Sequence, residues 1–158
     1  MMKNRILLIG LTLLAMASPA AAQQKSDRTY IRSGNRNYND SIYDQAEVKY
    51  RKALEMNPKS ADAMYNLGNT LIREVNKKGE NMSEEELQKY AKDIVAQYNT
   101  AASMEKDQTK LADIYHNMGD FLYLAQNYAE SAEAFKQALR NNPQDDETRY
   151  NLAKAMYM

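Results

Sequence analysis

The chain has 158 residues whose 21 basic and 21 acidic side chains balance, so no charge excess points to nucleic acid or to an anionic membrane surface. The absence of cysteine excludes disulfides, thiolate nucleophiles and cysteine-ligated zinc or iron–sulfur centres. One histidine, five glycines and three prolines argue against a histidine-rich metal site and against a sheet sandwich with many turns.

The N-terminal residues have the pattern of a secretory signal peptide. Lys3 and Arg5 form a positively charged start, and they precede an apolar run over residues 6–17. That run is too short to span a bilayer, which needs about 20 residues. The small residues Ala20 to Ala22 form the pattern that signal peptidase recognises, so we expect cleavage before Gln23 and export of a chain without a transmembrane segment. An uncleaved membrane anchor is the alternative.

Two stretches of the sequence repeat the same spacing of aromatic, small and proline residues after a glycine. The residues at offsets 9, 12, 16, 19 and 24 are Tyr43, Ala46, Tyr50, Ala53 and Pro58 after Gly34, and Tyr128, Ser131, Phe135, Ala138 and Pro143 after Gly119. This spacing is typical of the tetratricopeptide repeat, in which about 34 residues form two antiparallel helices. Because one repeat cannot bury its apolar face alone, successive repeats must stack.

The pattern therefore predicts an all-α fold, a right-handed superhelical solenoid of seven helices. The expected organisation is a signal peptide at 1–22, a short linker at 23–26 and a repeat domain at 27–158, divided into repeats 27–60, 61–108 with an insertion near 76–89, 112–145 and a partial repeat 146–158. The helices are expected at 27–39, 43–56, 60–76, 83–105, 109–125, 127–141 and 145–157.

Residue size within the repeats predicts where the helices touch. Small residues are expected where two helices approach closely, and large residues beside them fill the remaining space. The small residues are Gly34, Gly68, Gly119 and Ala153 in the first helices and Ala53, Ala101 and Ala138 in the second helices, and the large ones are Tyr50, Tyr98 and Phe135. Pro58 and Pro143 are expected to end the second helices of their repeats.

The second repeat carries an insertion of about 14 residues relative to the other two. Residues 76–81 are polar and predict a loop, and Ser83 with Glu86 forms a capping box that predicts the start of a longer helix. The insertion is either a tolerated surface extension or a loop that contacts a partner.

The sequence of residues 27–158 resembles tetratricopeptide-repeat proteins. A narrower resemblance rests on residues 141–153, NNPQDDETRYNLA, which are similar to the tetratricopeptide-repeat proteins of the aerotolerance (Bat) operons of Bacteroidota. That resemblance implies a periplasmic protein, peripheral to the envelope membranes. It also implies a membrane-associated complex with membrane-anchored von Willebrand A-domain proteins.

Recurring polar residues occupy the positions that line the concave face in this family. Asparagine recurs there as Asn66, Asn117 and Asn151, each preceded by a tyrosine or histidine. An asparagine amide both donates and accepts, so it can pair with the backbone of an extended peptide, while tyrosine adds a stiff amphipathic contact. The predicted peptide-binding groove consists of Asn35, Tyr65, Asn66, Asn69, His116, Asn117, Asp120, Tyr150 and Asn151. The alternative is that the asparagines bond the neighbouring helix.

Another subgroup of the family grips a C-terminal carboxylate with two asparagines and several basic residues. Asn35 and Asn66 match its two asparagines, but Ile31, Asp113 and Asn117 occupy the basic positions. The sequence therefore predicts no carboxylate clamp of that kind.

His116 lies between two acidic residues of the same predicted helix face, Asp113 and Asp120. This arrangement is either a weak site for a divalent ion or a polar wall with solvated acids. No accompanying motif supports acid–base or nucleophilic catalysis, so we expect no enzyme activity, no cofactor and no metal.

These patterns predict an exported scaffold or adaptor that binds protein or peptide segments in a concave groove, with no nucleic acid as a partner. The alternative is a structural component of an envelope or outer-membrane assembly that acts through helix packing.

Overall fold

A computed structural model of the chain describes residues 19–78 and 81–158, with side chains described from Asp27 onward. Within those ranges the chain is all-helical, as the repeat pattern predicts. The helices are α1 (Pro19–Asn39), α2 (Tyr43–Met56), α3 (Ala61–Lys78), α4 (Glu84–Met104), α5 (Gln108–Leu124), α6 (Tyr128–Asn141) and α7 (Asp146–Tyr157). The predicted charged start and apolar run of the signal peptide lie outside the described residues. No helix in the described ranges is long and apolar enough to cross a membrane.

The first helix begins earlier than the repeat pattern predicts. It starts at Pro19 and continues through residues 23–26, which were predicted to form a linker. Proline is favoured at the first helical position because its fixed φ suits a helix and its missing N–H would be unpaired there. The three alanines that follow have the highest helix propensity of any residue.

The helices pack as antiparallel pairs, and the pairs stack into a solenoid. Helix α1 packs on α2, α3 on α4 and α5 on α6, while α2 also packs on α3 and α6 on α7. One apolar core runs along this stack and a smaller cluster joins α6 to α7. The solenoid predicted from the repeat spacing is therefore confirmed.

Close contacts between first and second helices occur at the predicted glycines. A Cβ atom added to Gly34 would lie 2.6 Å from the Tyr50 ring, and one added to Gly119 would lie 2.6 Å from the Phe135 ring. At Gly68 the corresponding distance to Tyr98 is 3.2 Å, so the second repeat is packed less tightly there. The predicted alanine contacts are also buried, at Ala53, Ala101 and Ala138.

Ala153 occupies the glycine position of the last repeat, but it is exposed. In the described structure no second helix follows α7, so nothing packs over Ala153 as Tyr50 packs over Gly34. The predicted role of Ala153 in a close helix contact is therefore wrong for this structure.

Both helices of the second repeat are lengthened by the insertion. Helix α3 continues to Lys78, so the prediction of a polar loop from residue 76 is wrong for residues 76–78. Two basic residues in that last turn, Lys77 and Lys78, favour the helix because they face its negative end. Helix α4 has 21 residues, against 14 in α2 and α6, and the predicted capping box between Ser83 and Glu86 starts it.

Candidate functional site

The first helices of the repeats line a concave groove made of three connected depressions. We call them the first, central and last depressions, in order from α1 to α7, and each has a volume of about 260–270 Å³. Tyr38 and Asn69 line both the first and the central depression, and Asp120 and Leu124 line both the central and the last. The groove therefore runs without interruption from α1 to α7.

The recurring asparagines join each first helix to the one before it. The Nδ2 group of Asn66 donates to Asn35 Oδ1 at 3.2 Å. Asn117 Nδ2 donates in the same way to Asn69 Oδ1 at 3.1 Å, and Asn151 Nδ2 donates to Asp120 Oδ1 at 3.0 Å. One hydrogen bond thus repeats at each junction between repeats, and we call these three bonds the asparagine staples.

The acceptors of the first two staples also receive a hydroxyl from the second helix of their own repeat. Tyr50 donates to Asn35 Oδ1 at 2.7 Å, and Tyr98 donates to Asn69 Oδ1. Burial raises the pKa of both tyrosines well above the usual value, so the hydroxyls remain protonated donors. In the third repeat Phe135 has no hydroxyl, and Asp120 faces His116 instead.

Each staple uses only half of its asparagine amide. Among the described residues, no hydrogen bond reaches the Oδ1 atom of Asn66, Asn117 or Asn151. All three residues line the groove and are half-buried. The Nδ2 group of each asparagine therefore bonds the neighbouring helix, as the alternative interpretation predicted, while its Oδ1 atom accepts no hydrogen bond from the described residues.

The residues that precede these asparagines occupy three different environments. Tyr65 is half-buried, accepts a hydrogen bond from Asn117 Nδ2 at 2.8 Å, and has a pKa raised chiefly by burial. Tyr150 is 66% exposed. The side chain of His116 extends from α5 to Thr148 of α7, and its ring lies against Phe135. The structure therefore does not bring these three residues into one row of side-chain contacts.

His116 is held by a polar cluster that links α5 to α7. The hydroxyl of Thr148 donates to Asp145 Oδ2 at 2.6 Å, so His116 Nδ1, which is 2.5 Å from that hydroxyl oxygen, must be the donor in their contact. His116 Nε2 lies 3.3 Å from Asp120 Oδ2, a contact that also favours a proton on the imidazole. The hydrogen bond to Asp120 raises the pKa of His116 despite the opposing effect of burial.

This cluster does not assemble the divalent-ion site that was one interpretation of His116. Both imidazole nitrogens face protein groups, and the third member of the proposed set, Asp113, is exposed. Among the described residues, no group of three or more histidine or acidic side chains has the geometry to hold a metal.

Two basic residues in the groove were not among the predicted site residues. The Nε group of Arg73 donates to the Tyr38 hydroxyl at 3.1 Å in the central depression. Lys154 lines the last depression, where its amino group lies 4.7 Å from the centre of the Tyr123 ring. Arg73 is the fifth residue after its repeat glycine, and its equivalents in the first and third repeats, Asn39 and Leu124, also line the groove. This repeated position is the sequence signal that could have found it.

Comparison with known protein families adds an independent observation. Residues 49–101 and 112–145 match family models described as tetratricopeptide repeat, and together they cover more than half of the chain. The chain belongs to the tetratricopeptide-repeat proteins. The fold of this family is typically a non-catalytic scaffold for protein interactions. No curated protein matches the chain in sequence.

Solved tetratricopeptide-repeat structures share the fold at low sequence identity. The N-terminal domain of stress-induced protein-1 from C. elegans is 16% identical, with 85% of this chain and 98% of that chain covered and a TM-score of 0.70. The Arabidopsis OM64 repeat domain is also 16% identical, with 85% and 98% covered and a TM-score of 0.69. The first repeat domain of Spaghetti (RPAP3), bound to the HSP90 peptide SRMEEVD, is 16% identical, with 84% and 92% covered and a TM-score of 0.68.

Proposed function

We propose that this tetratricopeptide-repeat protein is a scaffold that binds an extended segment of a partner protein in its concave groove. The observation that carries the proposal is the row of stapled asparagines along the groove, whose Oδ1 atoms accept no hydrogen bond from the described residues. A staple fixes each amide against the preceding helix, so its acceptor is held in place before a ligand arrives. An extended segment presents backbone N–H groups along its length, and each is a suitable donor to such an oxygen.

The segment bound here differs from the tail peptide held by the Spaghetti domain. In the carboxylate-clamp subgroup, basic residues surround two asparagines, whereas this chain has Ile31, Asp113 and Asn117 at those positions. Without those cations the clamp cannot neutralise a terminal carboxylate. We therefore assign an internal extended segment as the ligand, read through its backbone and side chains.

The protein acts outside the cytoplasm in this proposal, in the periplasm and peripheral to the envelope membranes. Lys3 and Arg5, the apolar residues 6–17 and the small residues before Gln23 support export. Residues 141–153 support membership of an aerotolerance-type complex, with membrane-anchored von Willebrand A-domain proteins as partners. Mass spectrometry of the protein from its native host should find an N-terminus at Gln23, and an intact Met1 in the envelope fraction would refute export.

A second candidate function is helix packing in a larger envelope assembly. Helix α7 favours it, because Tyr150, Met156 and Tyr157 are exposed large side chains on one helix. In that case the partner would contact α7 rather than the groove.

Site-specific photo-crosslinking distinguishes the two candidates. A benzophenone amino acid is placed in the groove at Asn39 or Asn76, on α7 at Tyr157, or at Asn99, an exposed position on α4. Irradiation in native host cells should give the same crosslinked partner from both groove positions and none from Asn99. A partner crosslinked from Tyr157 and not from the groove would support helix packing and overturn the groove proposal.

A further inference from the structure

The insertion in the second repeat builds a cleft beside the groove. When the repeats are aligned on their glycines and aromatic residues, Arg73 of α3 is equivalent to Asn39, where α1 ends, and α3 continues past Arg73 to Lys78. Helix α4 likewise begins before Ala91, the residue equivalent to Tyr43 at the start of α2. The extra turns enclose, together with the end of α5, a cleft of about 450 Å³.

The cleft is lined mainly by apolar side chains. Ile72 and Val75 come from α3, Leu87 and Ala91 from α4, and Phe121 and Leu124 from α5, and Ala125 is the residue that follows α5. Leu124 is 69% exposed, although an apolar side chain of this size is favourable to bury. The volume lies within the range of about 300–1,000 Å³ that is typical of sites for small ligands, so a large apolar side chain fits.

The cleft opens directly into the central part of the groove. Ile72, Phe121 and Leu124 line both the cleft and the central depression, as does Asn76. A segment lying in the groove therefore passes the mouth of the cleft, and one of its side chains can enter without any change in the backbone path.

Arg73 supplies an unpaired positive charge at the same place. It is exposed in the central depression, and among the described residues its side chain makes one hydrogen bond, from Nε to the Tyr38 hydroxyl. Among the described residues, no carboxylate lies within 4.0 Å of its guanidinium group. The two terminal nitrogens are thus available for a carboxylate, which arginine binds with paired N–H groups.

We infer that the cleft receives a large apolar side chain of the bound segment and that Arg73 pairs with an acidic side chain next to it. This inference rests on the proposed groove function and specifies which segments the groove selects. The apolar lining and the unpaired cation, side by side, define the partner chemistry. Other repeats of the chain lack the inserted turns, so the selection belongs to the second repeat.

Panning a random dodecapeptide display library against the protein tests this inference. Selected peptides should carry a large apolar residue within one or two positions of Asp or Glu. Arg73→Gln should weaken a selected peptide about tenfold or more, because a charge-assisted hydrogen bond is lost. Gln88→Trp, at the cleft rim, should fill the cleft and weaken the same peptide to a similar degree.

Matched variants serve as controls for the added bulk and the lost charge. Lys89→Trp adds the same ring at an exposed position next to Gln88, and Arg140→Gln removes an exposed arginine from α6; both should bind like the wild type. Selected peptides that bind in the groove but show no preference for a large apolar residue close to an acidic one would overturn this inference without affecting the proposed groove function. Selected peptides whose affinity is unchanged by Asn39→Trp, a substitution that blocks the groove, would overturn both the groove function and this inference. A dimer that Gln88→Trp dissociates would show that a second copy occupies the cleft and would also overturn the inference.

Discussion

At the scale of single residues, the distance between an aromatic ring and each repeat glycine determines how tightly the two helices of a repeat pack. The rings of Tyr50 and Phe135 leave no room for a Cβ atom on Gly34 or Gly119, whereas the ring of Tyr98 leaves more room at Gly68. These contacts were predictable because they depend only on the spacing of residues within one repeat. The hydrogen-bond roles of the two halves of each asparagine amide were not, since they depend on how adjacent repeats are rotated.

The same substitution at two repeat glycines should therefore have different effects. Gly119→Ala should lower the free energy of unfolding by about 1–3 kcal/mol, because the added methyl group overpacks the contact with Phe135. Gly68→Ala should be near neutral, because the milder contact with Tyr98 is offset by the helix propensity of alanine, which exceeds that of glycine by about 1 kcal/mol. Urea unfolding followed by circular dichroism measures both, and equal losses would contradict the difference in packing.

At the scale of helices, α7 is attached to the rest of the solenoid partly through charged and polar groups. His116 of α5 faces Asp120 on its own helix, Thr148 of α7 and Asp145 at the start of α7. Asp113 and Glu147 also influence the imidazole through their charges. A protonated imidazole at this junction therefore stabilises the docking of α7.

The stability of this junction should decrease as the pH rises. The folded protein raises the pKa of His116 above its usual value of about 6.5, so the stabilisation is complete below about pH 6.5 and is lost as the pH rises through the higher folded value. Urea unfolding at about pH 5.5 and about pH 8.5 should show a wild-type advantage over His116→Gln that shrinks at the higher pH. A constant difference between the two proteins would show that the imidazole is not protonated in the cluster.

The positions of the helices were largely predictable from the sequence, and the main error lies in the insertion of the second repeat. The capping box at Ser83 was readable because its two bonds join residues three apart. The helical state of residues 76–78 was misjudged from their polar composition, although the sequence has no helix breaker until Gly79. Polar residues at the exposed end of a helix need no apolar stripe, so composition alone does not mark a loop.

At the scale of the whole molecule, the stacked first helices form one groove, and its direction followed from the repeat pattern. The groove position of Asn35, Asn66, Asn69, Asn117, Asp120 and Asn151 was predicted by their repeat positions, and the structure places each of them along its wall. Arg73 was missed although its equivalents in the first and third repeats also line the groove. The apolar cleft was not predictable, because it depends on how the inserted turns of α3 and α4 lie against α5. Such packing has no counterpart in the other repeats.

The most direct test of the groove function is the affinity of the partner segment for a protein whose groove is blocked. The segment recovered by crosslinking is synthesised as a labelled peptide and titrated by fluorescence anisotropy. Asn39→Trp places a large ring in the first depression without removing a staple, and Asn99→Trp places the same ring on α4. The account predicts that Asn39→Trp weakens binding by about tenfold or more, a loss of about 1.4 kcal/mol, while Asn99→Trp binds like the wild type. Unchanged affinity of the folded Asn39→Trp protein would contradict it.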